Sequence, residues 1–232
     1  MFPFYFDVRY LLFSLPALLL ALFAQWRVQS AYRKYSRIRN MRNVSGVEAA
    51  RILLRSNGLL DVEVQATRGF LSDHYDPSKK VLRLSPDVAR NPSIAALGIV
   101  AHEVGHALQD QADYAPLRVR SGLVPVVNLG TWLGMILFFV GLVIEFTGLI
   151  WVGIVFFSGS VVFALVTVPV ERDASRRALQ ILKADGLVGT TDIQGVQAVL
   201  SAAALTYVAA LAQALSQLLY FVLLATGMSR RD

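Results

Sequence analysis

The stretch "ALGIVAHEVGHALQDQ", Ala96 to Gln111, sets two of the chain's three histidines four residues apart, with a glutamate beside the first. On a helix, residues i and i+4 share one face about one turn apart. His102 and His106 can then offer two imidazole nitrogens to a single tetrahedral zinc ion. Glu103 sits one residue round, near the ion but not bound to it. There it can take a proton from a metal-activated water and pass it to a leaving amine. The apolar run Ile94 to Ala101 favours a helix, Ser93 is placed to open it, and Gly105 leaves room for another element. The competing reading is a pair of core histidines spaced by chance. Burying two unpartnered imidazoles and a carboxylate on so apolar a helix would be costly, which disfavours it.

The chain has no cysteine, so disulfides, thiolate ligands and a cysteine nucleophile are excluded. No histidine follows His106. A third ligand must therefore be Asp, Glu or the remaining His74. Glu171 in "VPVERDASRRAL", Val168 to Leu179, is the best placed, with Asp173 as the alternative. Asp173 could instead orient a ligand histidine by accepting its other N–H. His74 in "LSDHYDP" has two readings, a capping residue beside a turn or a catalytic donor to the developing oxyanion. Tyr75 and Tyr114 could share the second role, while Asp73 and Asp76 read as turn formers. Two histidines and a carboxylate suit Zn2+ and also iron.

Outward from this stretch, the chain is apolar. It is 55% hydrophobic and only 16% charged, against about 25% charged for typical soluble proteins. Its mean hydropathy is +0.53. The run Tyr10 to Trp26 is close to one span's length, with aromatic residues at both ends. It reads as a retained anchor, with a cleaved signal peptide as the rival. Leu123 to Val170 is twice a span's length and breaks at "EFTG", Glu145 to Gly148. It reads as a hairpin, Val124 to Ile144 outward and Leu149 to Val168 back, with a helix starting after Pro169. Ala204 to Gly227 is long enough for a fourth span, with Gln213, Ser216 and Gln217 expected to face other helices; a helix lying along the membrane surface is the alternative.

Arg27, Arg33, Lys34, Arg37, Arg39 and Arg42 follow the first span, whereas Arg9 alone precedes it. By the positive-inside rule this places residues 27 to 122 in the cytoplasm. Arg230 and Arg231 fall on the less favoured side. The net charge of +6 thus reads as attraction to anionic lipid rather than to nucleic acid. Within residues 27 to 122, Ser45 and Glu48 make a capping box, and Gly58 is placed to end that helix. "VEVQAT" (Val62 to Thr67) and "KVLRLS" (Lys80 to Ser85) alternate as strands do, with Asp76-Pro77 as turn chemistry between them.

The expected fold is mainly α. It has about four transmembrane helices plus a small α+β, zincin-like cytoplasmic catalytic region with a short β-hairpin or sheet. The expected partition is an anchor over 1–26, a catalytic region over 27–122 and a transmembrane hairpin over 123–169. A third-ligand helix over 170–200 and a C-terminal span and tail over 201–232 complete it.

Four segments carry a resemblance: "GFLSDHYDPSKKVLRLS", "GIVAHEVGHALQDQ", "VERDASRRAL" and "AAALTYVAAL". Through them, over about residues 5 to 225, the chain resembles the YugP-like family of bacterial membrane zinc metallopeptidases. It is more distantly similar to HtpX-type membrane proteases, whose third-ligand helix reads E-x-x-x-D. By that pattern Glu171 matches the ligand, and Ser175 stands where the Asp would be. The resemblance implies zinc, peptidase activity and a multi-pass place in a bacterial plasma membrane. The expected function is therefore a zinc endopeptidase acting on peptide or membrane-protein substrates at the cytoplasmic face. The alternatives are an intramembrane protease and a non-catalytic zinc-binding scaffold or chaperone. The apolar lead-in Ile94 to Ala101 is too short to cross a bilayer, which weighs against the first. An intact Glu103 weighs against the second. Oligomeric state leaves no mark in the sequence.

Overall fold

A computed structural model of the chain describes residues 8 to 228; Arg230 and Arg231 of the charge pattern lie outside the described residues. The described elements, in chain order, are α1 (Val8–Tyr35), α2 (Gly46–Ser56), β1 (Glu63–Ala66), β2 (His74–Asp76), β3 (Val81–Leu84), α3 (Pro86–Arg90), α4 (Ile94–Gln111), α5 (Ala115–Val143), α6 (Thr147–Ala184) and α7 (Thr190–Met228). Four of the helices, α1, α5, α6 and α7, are long and apolar enough to cross a membrane.

The chain forms two compact units. One comprises the described parts of Met1–Ala24, Val119–Val168 and Thr206–Asp232. Its α5–α6 hairpin turns at Glu145, whose φ of 56° lies in the left-handed region. The hairpin closes so tightly that a Cβ on Gly153 would lie 2.6 Å from the Phe138 amide nitrogen. Phe138 stacks on Phe221 at 3.9 Å between ring centroids, and Ile150, Ile154 and Phe157 fill in around them. The Ser216 hydroxyl of α7 donates to the Phe13 carbonyl of α1, as expected of a polar group facing another helix, whereas Gln213 is exposed.

The other unit comprises Gln25–Arg118 and Pro169–Leu205. Helix α2 begins with the anticipated capping box: Ser45 Oγ accepts from the Glu48 N–H, and Glu48 Oε2 accepts from the Ser45 N–H at 2.7 Å. It ends at Asn57, followed by Gly58 at φ 72°. Helix α4 is capped by Ser93, which accepts from the Ala96 N–H at 3.1 Å. The strands form a sheet of order β1-β3-β2, with β1 parallel and β2 antiparallel to β3. The two strands read from the sequence are therefore parallel neighbours. The hairpin is made by β2, which lies inside the connection between them. Its turn is held by Asp76, whose Oδ1 accepts from the N–H groups of Ser78 and Lys79. Leu53 of α2, Leu82 and Leu84 of β3 and Leu97 and Val100 of α4 are buried in one core.

One boundary differs from expectation. No new helix starts after Pro169; α6 runs through it from Thr147 to Ala184. Proline removes one backbone donor, and the rest of the helical ladder carries the chain through. Glu171 therefore sits on the same continuous helix as the returning apolar run.

Candidate metal centre

Helix α4 carries His102, Glu103 and His106, and α6 brings Glu171 against them. The approach is possible because residue 105 is glycine: a Cβ there would lie 2.5 Å from the Ala174 carbonyl oxygen. Glu171 Oε2 lies 3.1 Å from His102 Nε2 and 3.5 Å from His106 Nε2. One ligand atom from each of the three residues lies within 4.8 Å of the others. Glu171 and His106 are buried, and His102 is half-buried.

The other face of each imidazole is also engaged. His106 Nδ1 lies 2.9 Å from Gln109 Oε1, and Gln109 Nε2 donates to the Val170 carbonyl and to Asp173 Oδ2. His102 Nδ1 lies 3.2 Å from Ser175 Oγ. Both Nε2 atoms thus face the Glu171 carboxylate while both Nδ1 atoms face side-chain oxygens. Asp173, the alternative ligand, is not in the cluster. It receives hydrogen bonds from Gln109, Arg176 and Arg177. Its link to His106 runs through the Gln109 amide. Ser175 makes the contact to His102.

Glu103 Oε2 accepts a hydrogen bond of 3.0 Å from the backbone N–H of Tyr75 on β2. The Tyr75 hydroxyl donates to Asp110 Oδ2 at 2.8 Å, so β2 is tied to α4 at two points seven residues apart. That contact commits Tyr75 to α4. Side chains alternate along a strand, so His74 points to the opposite face of the sheet. There its Nδ1 meets the Ser72 carbonyl at 2.9 Å and its Nε2 meets Arg83 Nη1 at 3.3 Å. The structure does not bring His74 into the cluster of His102, His106 and Glu171. Asp76 binds the same Arg83, which lowers its pKa. Tyr114 lies beside the Arg177 guanidinium, 5.8 Å from ring centroid to cation.

The electrostatics suit a cation. Burial pushes the Glu103 carboxyl up, against the downward pull of His102 and His106. Burial opposes charge on His106, but its hydrogen bond to Glu171 and the Glu103 charge outweigh that and raise its pKa. Two carboxylates beside two imidazoles thus hold positive charge in a buried place.

A family model described as "Putative neutral zinc metallopeptidase" matches residues 10–226. The chain belongs to this family. It is also 44% identical, over 93% of its own length and 96% of the relative's, to a Bacillus subtilis protein named "Putative membrane protease YugP". No solved structure matches it.

As a member of a zinc metallopeptidase family, the chain has a donor set that can be tested against the metal. Ligand atoms bound about 2.05 Å from one tetrahedral zinc lie about 3.3 Å from each other. The imidazole-to-carboxylate distances of 3.1 and 3.5 Å bracket that value. Two imidazoles and a carboxylate are also a donor set that catalytic zinc accepts. His102, His106 and Glu171 therefore fit zinc. Gln109 went unread in the sequence because a helical glutamine ordinarily faces water. Its signal was position: three residues after His106, on the same face of an apolar helix.

Proposed function

We propose that the chain is an integral-membrane zinc endopeptidase that hydrolyses peptide bonds near the cytoplasmic face of a bacterial plasma membrane. Residues 27–122 and 170–200 form its zincin-like catalytic region. The segments 1–26, 123–169 and 201–232 hold it in the bilayer. His102, His106 and Glu171 are the metal ligands. The observation that carries this reading is the meeting of these three side chains, 69 residues apart along the chain at the widest, with Glu103 on the same helix.

Held there, zinc supplies a Lewis acid for a water and for the scissile carbonyl. Glu103 takes a proton from the attacking water as its oxygen adds to the carbonyl carbon. It gives that proton to the amide nitrogen as the C–N bond breaks. The Tyr75 N–H fixes Oε2 of Glu103, which leaves Oε1 without a partner among the described residues as the atom that carries the proton. Gln109 and Ser175 hold the two imidazoles from behind.

Helix α4 is not among the four membrane-length helices, which favours cleavage at the membrane surface over cleavage within the bilayer. The basic cluster from Arg27 to Arg42 favours the cytoplasmic side. Purified Glu103→Gln protein tests the reading. Cleavage of casein and of an unfolded membrane substrate should fall by about 10²- to 10⁴-fold, with zinc content unchanged. Cleavage at the wild-type rate would end it.

A further inference from the structure

Gln109 is a fully buried side chain on the helix that carries both histidines. Its amide has three partners, and two of them can only accept. Nε2 donates to the Val170 carbonyl at 2.8 Å and to Asp173 Oδ2 at 3.0 Å. Asp173 is itself held by Arg176 and Arg177, so it stays an acceptor. These contacts fix which end of the amide is nitrogen, and Oε1 is left facing His106 Nδ1 at 2.9 Å. An amide oxygen only accepts. The proton in that contact therefore belongs to His106 Nδ1, and its Nε2 is the atom presented to Glu171.

The same amide acts on the partner helix. Val170 directly precedes Glu171, and Asp173 lies two residues after it. One side chain on α4 thus grips the turn of α6 that carries the carboxylate ligand, while it orients the nearest imidazole. His102 has no such lock. Its Nδ1 faces the Ser175 hydroxyl, which rotates and can either donate or accept.

We propose that Gln109 is the positioning residue of the metal centre: it fixes His106 with its proton on Nδ1 and its Nε2 turned to the metal, and it anchors the α6 turn that presents Glu171. The proposal rests on the reading of His106 and Glu171 as zinc ligands. It predicts that Gln109 sets zinc affinity without touching zinc or substrate.

The test uses the full-length protein in detergent micelles, labelled with 15N-histidine. Three histidines make every ring assignable. His106 should show a slowly exchanging Nδ1–H in both metal-free and zinc-loaded protein. In Gln109→Met, which keeps the volume and removes the hydrogen bonds, that proton should exchange rapidly. Zinc affinity, measured by chelator competition, should fall about 10- to 100-fold. Its loss must come without a matching loss of helical circular dichroism, which a packing role alone would produce. Should Gln109→Met fail to fold, the Nδ1–H of His106 in metal-free wild-type protein decides by itself. Two results overturn the proposal: no slowly exchanging Nδ1–H on His106 in metal-free wild type, or wild-type affinity in folded Gln109→Met. A wild-type protein that binds no zinc sinks the ligand reading instead, and the metal-free proton exchange still judges Gln109.

Discussion

The α5–α6 and α4–α6 pairs each approach until their backbones touch, and they are held in different ways. In the α5–α6 hairpin, a Cβ on Gly134 or Gly153 would meet the other helix's backbone at 2.8 Å or less. What surrounds that contact is apolar, with Phe138, Ile150 and Phe157 buried around it. In the α4–α6 contact, Gly105 meets the Ala174 carbonyl equally closely. What surrounds that one is polar: His102, His106, Gln109, Glu171, Asp173 and Ser175, nearly all bonded across the interface. Close approach by a small residue is therefore a general device. In the hairpin it increases dispersion between helices that lipid would otherwise separate without cost. At the site it brings side chains into ligand distance. Polar groups can be buried there only because each has a partner.

The largest expected effect comes from Gly105→Val, which separates His102 and His106 from Glu171. Overpacking of a close contact costs about 1–3 kcal/mol, and here the strain falls directly on the Nε2-to-carboxylate spacing. Zinc affinity by chelator competition should fall by roughly 10- to 100-fold, with peptidase activity falling alongside it. Gly153→Val makes the matched change in the hairpin. It should lower thermal stability by about 1–3 kcal/mol while zinc affinity stays within about twofold of wild type. Equal zinc loss in both variants would break the comparison, because the hairpin would then be part of the site.

The middle of the range tests the tie between β2 and α4. Tyr75→Phe removes the hydroxyl's bond to Asp110 and leaves the backbone N–H on Glu103. A lost hydrogen bond of this kind is worth about 1 kcal/mol, so kcat should fall about fivefold with zinc affinity unchanged. Asp110→Asn keeps an acceptor for the hydroxyl and should lose less. A Tyr75→Phe enzyme with wild-type kcat and raised KM would move the residue from the base to the substrate.

How much of this was readable in the sequence depends on range. Ser45 with Glu48 and Ser93 with Ala96 act within one turn, and both caps form where the residue types place them. The hairpin break at Glu145 to Gly148 was equally local, since apolar runs of span length leave few other places to turn. β2 was missed because it is three residues long, with two charged or polar side chains flanking Tyr75. It is a strand because β3 pairs with it, which no pattern inside "HYD" can reveal. The cluster of His102, His106 and Glu171 was half legible. His102 and His106 are placed by one helix, whereas Glu171 needed the idea that an apolar hairpin returns the chain. His74 drew attention as an imidazole near a turn, and strand alternation decides its face. Gln109 carries no charge and is not a usual zinc ligand, so its part emerges only from three partners on two helices.

The smallest effect belongs to Ser175, and it sharpens the contrast between the two imidazoles. Its Oγ lies 3.2 Å from His102 Nδ1, a longer contact than the 2.9 Å from Gln109 to His106. A helical serine hydroxyl can also satisfy itself on the carbonyl four residues back, here that of Glu171. Removing it leaves His102 exposed enough for water to take its place. Ser175→Ala should therefore weaken zinc by about threefold, well below the usual range for a residue behind a ligand. Ser175→Asp should do the reverse, since a carboxylate accepting from Nδ1–H makes the imidazole a stronger donor to zinc. If Ser175→Ala instead costs as much affinity as Gln109→Met, the two histidines are held alike. The centre would then owe its order to both helices equally rather than to one buried amide.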